Sequence, residues 1–178
     1  MITIKRTLAI GLFLTLGIAV AAQSGKAKIN WLSWEEATAL ENTEGKKYFV
    51  DLYTDWCGYC KKMDRTTFKD PKVVAFVNAN FIPIKLNAEQ KEDIQYRGHT
   101  MKLNKKVGRR GMHELAMALL EGLDRVGYPT YVYLDAKQDR ITLSPGFKPA
   151  NDMLLELKFV GDDHYQTTSF QEFAKNNP

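Results

Sequence analysis

The sequence predicts an α/β domain in which a central sheet is flanked by helices. Three observations lead there. Tyr48-Phe49-Val50-Asp51-Leu52-Tyr53 is apolar on both parities, interrupted by Asp51 alone, as a strand covered on both faces must be. Segments with a helical apolar period alternate along the chain with short runs rich in β-branched and aromatic residues. The last of these runs, Tyr131 to Leu134, is followed by a turn at Ala136 to Asp139 and by Arg140 to Leu143, which marks an antiparallel hairpin.

The N-terminus reads as a targeting segment that precedes this domain. Lys5 and Arg6 lead into an apolar run from Leu8 to Ala22, which closes with Ala19-Val20-Ala21-Ala22-Gln23, small residues at the spacing signal peptidase accepts. The alternative is an uncleaved anchor, but a spanning helix needs about 20 apolar residues and this run is shorter. The expectation is a signal peptide over 1–22, cleaved after Ala21 or Ala22, and one domain over 23–178. No cysteine lies at the boundary to carry a lipoprotein anchor. About 155 residues remain after cleavage, the size of one domain with a single core. The 25 basic and 21 acidic residues give +4, and losing Lys5 and Arg6 leaves +2. That balance calls for neither nucleic acid nor an acidic membrane surface.

Ser33-Trp34-Glu35-Glu36 is a capping-box sequence, so a helix is expected from Trp34 to about Leu40, with Asn42 to Gly45 ending it. After the strand at Tyr48 to Tyr53, a second helix is expected from Cys57 to about Phe68. Asp70-Pro71 supplies the N-cap and first residue of a third, which ends at Asn80, and Phe81 to Leu86 reads as the next strand. From Asn87 to Gly111 the pattern dissolves into a polar, basic stretch with Lys102, Lys105, Lys106, Arg109 and Arg110. It reads either as a solvated insertion with at most one short helix or as a docking surface for a partner. His113 to Leu123 regains a helical period, and Gly127-Tyr128-Pro129-Thr130 leads into the strand that begins at Tyr131. Pro149 to Phe159 is then a helix. A second capping box, Ser169-Phe170-Gln171-Glu172, starts a C-terminal helix whose Phe170 and Phe173 pack back on the body.

The chemistry-bearing residues are Cys57 and Cys60, the chain's two cysteines, placed directly after the central strand. A bridge that spans two residues is a poor staple, because closing a short loop removes little unfolded-state entropy. It is a plausible reagent. If a helix begins at Cys57, that sulfur meets unpaired backbone N–H groups and the positive end of the helix dipole, and its pKa falls. Gly58 leaves room for a substrate chain, while Tyr59 donates a hydrogen bond or merely fills space. Cys60, one turn on, is sheltered and placed to attack the mixed disulfide that Cys57 forms. Asp51 is a carboxylate in apolar surroundings, where desolvation raises its pKa and suits it to take the Cys60 proton through water. Its structural alternative is a side chain that caps a backbone group.

Other residues read plainly. Trp31 and Trp34 are expected in the core, and Lys61 and Lys62 either support a thiolate or are simply solvated. His99, His113 and His164 have no spacing that completes a metal site with the cysteines. Lys61 stands where c-type haem attachment would require histidine. No metal or other cofactor is expected.

The order of elements, with the cysteines at the first strand-to-helix junction, resembles the thioredoxin fold. Val50-Asp51-Leu52-Tyr53-Thr54-Asp55-Trp56-Cys57-Gly58-Tyr59-Cys60-Lys61 is similar to that family's active-site segment, with an acidic residue six positions before the first cysteine and a tryptophan directly before it. Tyr128-Pro129-Thr130 is similar to the loop that carries the family's cis-proline. The resemblance runs from about Trp31 to Phe159. Within the superfamily the chain most resembles the C-terminal periplasmic domain of the bacterial transmembrane thiol-disulfide interchange reductase, through Asp51-Leu52-Tyr53, Thr67-Phe68 and Asp70-Pro71. It departs from that domain in its longer stretch between Asn87 and His113 and in reading without membrane-spanning segments. Gly58-Tyr59 is similar to the dipeptide of periplasmic disulfide isomerases, whose dimerisation domain has no counterpart here.

The resemblance implies a thioredoxin fold with a mixed central sheet, an insertion before the cis-proline and an extra C-terminal helix. It also implies that Pro129 is cis and sets Tyr128 and Thr130 beside Cys57, where a substrate strand pairs with the backbone, and that Trp56 shapes the rim. The activity implied is that of a periplasmic or secreted thiol-disulfide oxidoreductase, leaning to reductase or isomerase, which exchanges its disulfide with cysteines of envelope proteins and contributes to cell redox homeostasis. Its partners would be disulfide-bearing envelope proteins and an upstream redox partner, with no nucleic acid and no stable membrane insertion after cleavage. The alternative is a copper-delivery or thiol-dependent chaperone module that uses both sulfurs as soft ligands, for which Met63 is the one nearby methionine.

Overall fold

Capping chemistry starts the first helix where the sequence places it. The Ser33 hydroxyl accepts the Glu36 N–H at 3.1 Å, and the Glu36 carboxylate accepts the Ser33 N–H at 2.8 Å. Helix α1 (Trp34–Thr38) nevertheless stops short of Leu40, which is exposed and has no core to reach. The computed structural model describes residues 27–41, 43–123 and 125–177, so the expected leader over 1–22 and Asn42 lie outside the described residues.

Strand β1 (Lys47–Tyr53) follows, then α2 (Gly58–Arg65), with Cys57 as its N-cap. The helix expected to reach Phe68 breaks at Thr66, whose backbone leaves the helical region, and continues as a 3₁₀ turn, Thr67–Lys69. The break has a packing reason: it turns Phe68 into the core and sends the Thr67 hydroxyl to the Lys148 carbonyl at 2.6 Å. Helix α3 (Pro71–Asn80) is capped by the Asp70 carboxylate, which accepts the N–H groups of Lys72 and Val73, and β2 (Phe81–Asn87) comes next.

The stretch after β2 is not the loosely solvated insertion the sequence suggests. It forms two hairpins, β3 (Ile94–Tyr96) with β4 (His99–Met101) and β5 (Leu103–Asn104) with β6 (Met112–His113). Ile94 is fully buried, and the Tyr96 ring meets Trp34 edge to face at 5.5 Å. Strands of two or three residues carry too few positions to show a period, and tertiary contact holds them. Helix α4 (Glu114–Leu119) is shorter than the expected span from His113 to Leu123. His113 caps it: the buried ring accepts the Leu115 N–H at Nδ1, 3.2 Å, and meets the Glu92 carbonyl at Nε2, 3.1 Å.

The chain finishes with β7 (Thr130–Leu134), β8 (Arg140–Pro145), α5 (Ala150–Gly161), a 3₁₀ turn at His164–Gln166 and α6 (Phe170–Asn176). Phe173 is buried against Phe159 at 5.4 Å, while Phe170 lies edge-on to the same ring but remains partly exposed.

Four strands make the main sheet in the order β2-β1-β7-β8, with β1 parallel to β2 and the other pairs antiparallel. Tyr48, Val50 and Leu52 face one layer with Trp34 of α1 and Leu115 of α4. Phe49 faces the other, with Met63 of α2, Val73 and Val77 of α3, and Leu157 of α5. Burying a side chain such as Phe49 stabilises the fold by about 1.5–3 kcal/mol, and its ring also meets Tyr131 and Tyr133 at 5.8 and 5.3 Å. By the alternation of strand side chains, Asp51 points to the same side as Phe49, the side on which α2 packs.

Candidate active site

The site begins where β1 ends. Thr54 accepts the Cys57 N–H at its carbonyl, 3.1 Å, closing the turn that delivers Cys57 to the mouth of α2. There the Cys57 Sγ accepts the Cys60 N–H at 3.0 Å, so one unpaired donor of the helix start is aimed at the sulfur. Cys57 and Cys60 are joined in a disulfide. A Cβ built at Gly58 meets nothing within 4 Å, so this face of the helix mouth is open.

The sequence leads one to expect an exposed sulfur and a sheltered one. In the bridged pair the contrast is slight, with Cys57 4 % and Cys60 2 % exposed. The residues that stand out are their neighbours, Trp56 at 53 % and Tyr59 at 62 %. The sulfurs thus lie at the floor of an aromatic rim. The Trp56 indole N–H donates to Glu89 at 2.9 Å, and its ring meets Tyr128 edge to face at 6.0 Å. Tyr59 leans on Phe147 at 6.1 Å, and the Lys62 ammonium lies 4.3 Å from the same ring.

The Tyr128–Pro129 peptide is cis, as the resemblance implies. The Pro129 carbonyl accepts the Gly146 N–H at 2.7 Å. Thr130 is buried inside the sheet, in register with Leu52 on one side and Pro145 on the other, and its hydroxyl donates to the Gly127 carbonyl at 2.7 Å. Tyr128 reaches the rim through its edge-to-face contact with Trp56.

Beneath the rim lies Asp51, 1 % exposed. Burial pushes its carboxyl up to about 6, against the pull of the Lys85 charge. The structure adds Lys85 to the site, which the sequence reading did not single out. It stands opposite Asp51 on β2, with its Nζ 2.7 Å from Oδ2 in a short, buried ion pair. The same ammonium pairs with Asp64 of α2 and faces the rings of Trp31, Tyr53 and Phe68 at 5.2–5.5 Å. Burial works against the Lys85 charge, but the two carboxylates outweigh it and hold its pKa above the ordinary value. Tyr131 lies across from Asp51 on the other flank, its hydroxyl without a hydrogen-bond partner among the described residues. Burial, followed by the Asp51 charge, raises its pKa well beyond the ordinary tyrosine range.

The signal for Lys85 was present but non-local: a lysine inside the apolar run Phe81 to Leu86 needs a counter-charge, and a buried aspartate in the neighbouring strand supplies one. Trp34 is in the core and Trp31 half-buried against Phe49 and Phe68, while Lys61 and Lys62 are exposed. Met63, the methionine that a soft-metal site would recruit, is buried and accepts the Lys148 N–H at its sulfur, 3.4 Å. Among the described residues no three His, Cys, Asp or Glu side chains gather as metal ligands, and no helix is long and apolar enough to cross a membrane.

Residues 34–161 match the thioredoxin-like domain family. The chain is 37 % identical over 67 residues to the thiol:disulfide interchange protein DsbD of Pseudoalteromonas atlantica, which covers 37 % of this chain and 11 % of that protein. It is 29 % identical over 126 residues to DsbD of Escherichia coli O6:H1, covering 67 % of this chain and 18 % of the relative. The chain therefore spans less than a fifth of the length of these curated relatives. The solution structure of a thioredoxin from Thermus thermophilus shares the fold, with a TM-score of 0.53 and 24 % identity over 75 % of this chain and 87 % of that one.

Proposed function

The chain belongs to the thioredoxin-like family and is a thiol-disulfide oxidoreductase, and from that premise we propose that it is exported and reduces or isomerises disulfides of envelope proteins. The observation that carries the reading is the Cys60 N–H aimed at the Cys57 sulfur at the mouth of α2. A positive helix end and a directed donor both favour thiolate over thiol, and nucleophiles of this kind titrate between about 3.5 and 7.5. Lys5, Arg6 and the apolar run that ends at Ala22 support export. The similarity to DsbD supports an envelope redox partner upstream.

In the reduced protein the Cys57 thiolate attacks one sulfur of a substrate disulfide. The substrate S–S bond breaks, one substrate sulfur leaves as a thiolate, and a mixed disulfide joins Cys57 to the other. Cys60 then gives its proton to Asp51 through water and attacks the Cys57 sulfur. The Cys57–Cys60 bond forms and the second substrate sulfur departs, so the substrate gains two electrons and the protein loses two. An Asp51 carboxyl near pH 6 is mostly ionised at neutral pH and still basic enough to accept a proton. Trp56, Tyr59 and Tyr128 form the surface on which the substrate lies, Gly58 leaves it room, and Pro129 and Thr130 hold the loop.

Trapping tests the reading. Cys57→Ser should abolish insulin reduction, and Cys60→Ser should accumulate mixed disulfides with envelope proteins, because attack still occurs and nothing releases it. Adducts from Cys57→Ser but not from Cys60→Ser would reverse the assignment. The reduction potential in a glutathione buffer decides direction. It is expected nearer about −270 mV, as for reductants of this fold, than about −120 mV, as for its oxidants.

A further inference from the structure

The second hairpin of the insertion does not stand away from the disulfide. The loop from β5 to β6 folds down beside it, and the Arg110 guanidinium lies 5.8 Å from the ring of Trp56, the residue that precedes Cys57. Gly111 lets the hairpin close tightly at this loop. Its φ is +85°, and a Cβ there would sit 3.0 Å from Leu103 Cδ1 and 3.2 Å from the Asn104 carbonyl oxygen. Between loop and rim runs a cleft of about 380 Å³, lined by Trp56, Val107, Arg109, Arg110, Val126 and Tyr128.

The charge of this cleft is unbalanced. Arg109 and Arg110 line it, Lys105 and Lys106 lie earlier on the same loop outside the lining, and none of the four, all exposed, has a carboxylate within ion-pair distance among the described residues. Lys102 differs, since it pairs with Asp93 at 3.0 Å. Glu89 is the acidic side chain among the described lining residues, and it accepts the Trp56 indole N–H. In the cleft lining the two arginines face one carboxylate, Glu89, which leaves the wall positive over an aromatic and aliphatic floor.

We propose that this cleft seats an acidic, extended segment flanking the reacting cysteine of the partner protein, so that the β5–β6 loop selects partners with Asp or Glu beside their disulfide. The inference rests on the oxidoreductase reading and adds the class of substrate. Arginine is suited to the role, because its planar fork takes a carboxylate through two parallel hydrogen bonds. Its place on an exposed wall means that it acts chiefly on encounter, where charge complementarity raises association rates by about 10- to 1000-fold.

Single-turnover kinetics test this. The full chain is reduced, freed of reductant and mixed with two cystine peptides identical except for Glu or Lys residues flanking the disulfide, and each rate is divided by that for hydroxyethyl disulfide. In about 20 mM salt the Glu peptide should react at least about tenfold faster than the Lys peptide, and the ratio should fall to within about twofold at about 0.5 M salt. The double variant R109E/R110E should invert the preference, whereas R109K/R110K should keep its direction. A ratio near one for the wild type at low salt, or an unchanged preference in R109E/R110E, overturns the inference and leaves the oxidoreductase reading standing. If the reduced protein fails even with hydroxyethyl disulfide, both fall together.

Discussion

Glu156 on α5 and Asp51 on β1 are both buried on the same side of the sheet, yet their surroundings differ in kind. Glu156, 6 % exposed, accepts the Tyr133 hydroxyl at 2.8 Å and the Ser144 hydroxyl at 2.8 Å, and pairs with the Lys148 ammonium at 3.1 Å. Asp51 has one partner, the Lys85 ammonium 2.7 Å from Oδ2, which Asp64 also claims. Burying a carboxylate costs free energy that its partners must offset, and three partners offset more of it than one shared partner does. One carboxylate is satisfied and ties α5 to β7 and β8. The other shares its one partner, its pKa is raised by burial, and it is the group proposed to exchange a proton. The contrast separates the two carboxylates more clearly than burial alone, which is nearly equal.

The largest expected effect falls on the satisfied group. Glu156→Ala removes three contacts at once and leaves the Tyr133 hydroxyl and Lys148 without their partner, so unfolding in urea should show a loss of about 3 kcal/mol. Disulfide exchange by the folded variant should match the wild type. A loss below about 1 kcal/mol would mean that the network contributes little and that the comparison misassigns Glu156.

Asp51→Asn should do the reverse. Insulin reduction at pH 7 should slow by about 10²-fold, and the inflection near pH 6 should vanish from the pH–rate profile. An unchanged profile removes Asp51 from the mechanism. Stability should rise instead of falling. Because the folded pKa of about 6 lies above the ordinary 3.8, the native state binds this proton more tightly than the unfolded chain. The group's stabilising contribution is therefore full below about pH 4 and lost as pH rises through about 6. At neutral pH the variant should gain about 1–3 kcal/mol, and its stability should depend less on pH across that window.

What the sequence disclosed and what it withheld divide along the same line. Local chemistry was legible: the capping boxes at Ser33 and Ser169, the Asp70-Pro71 helix start and the dithiol after β1 appear where short motifs put them, and the Tyr128–Pro129 peptide is cis as the family resemblance implies. Asp51 was legible because a lone acid in an apolar strand is conspicuous. Lys85 was not, because its meaning comes from the register of β1 against β2, which no local pattern encodes. The hairpins after β2 were missed for a similar reason: Ile94 and Tyr96 are ordered by α1, more than fifty residues earlier in the chain. The floor-like burial of Cys57 also depends on side chains gathered from separate elements.

The finest test uses two tyrosines on one strand. Tyr133 and Tyr131 are both buried on the Glu156 and Asp51 side of β7, and they differ in that the first donates its hydroxyl to a carboxylate while the second donates to nothing among the described residues. Tyr133→Phe should cost about 1.5–3 kcal/mol, the range for a hydrogen bond to a charged acceptor, whereas Tyr131→Phe should range from no loss to a gain of about 1 kcal/mol. Burial volume barely changes in either variant, so the difference between them reads the hydroxyl alone. If Tyr131→Phe costs as much as Tyr133→Phe, that hydroxyl is hydrogen-bonded in solution. Asp51, directly across the register, is the nearest candidate to share the bond. The carboxylate would then be better satisfied than its surroundings suggest, and the stability gain expected of Asp51→Asn should shrink with it.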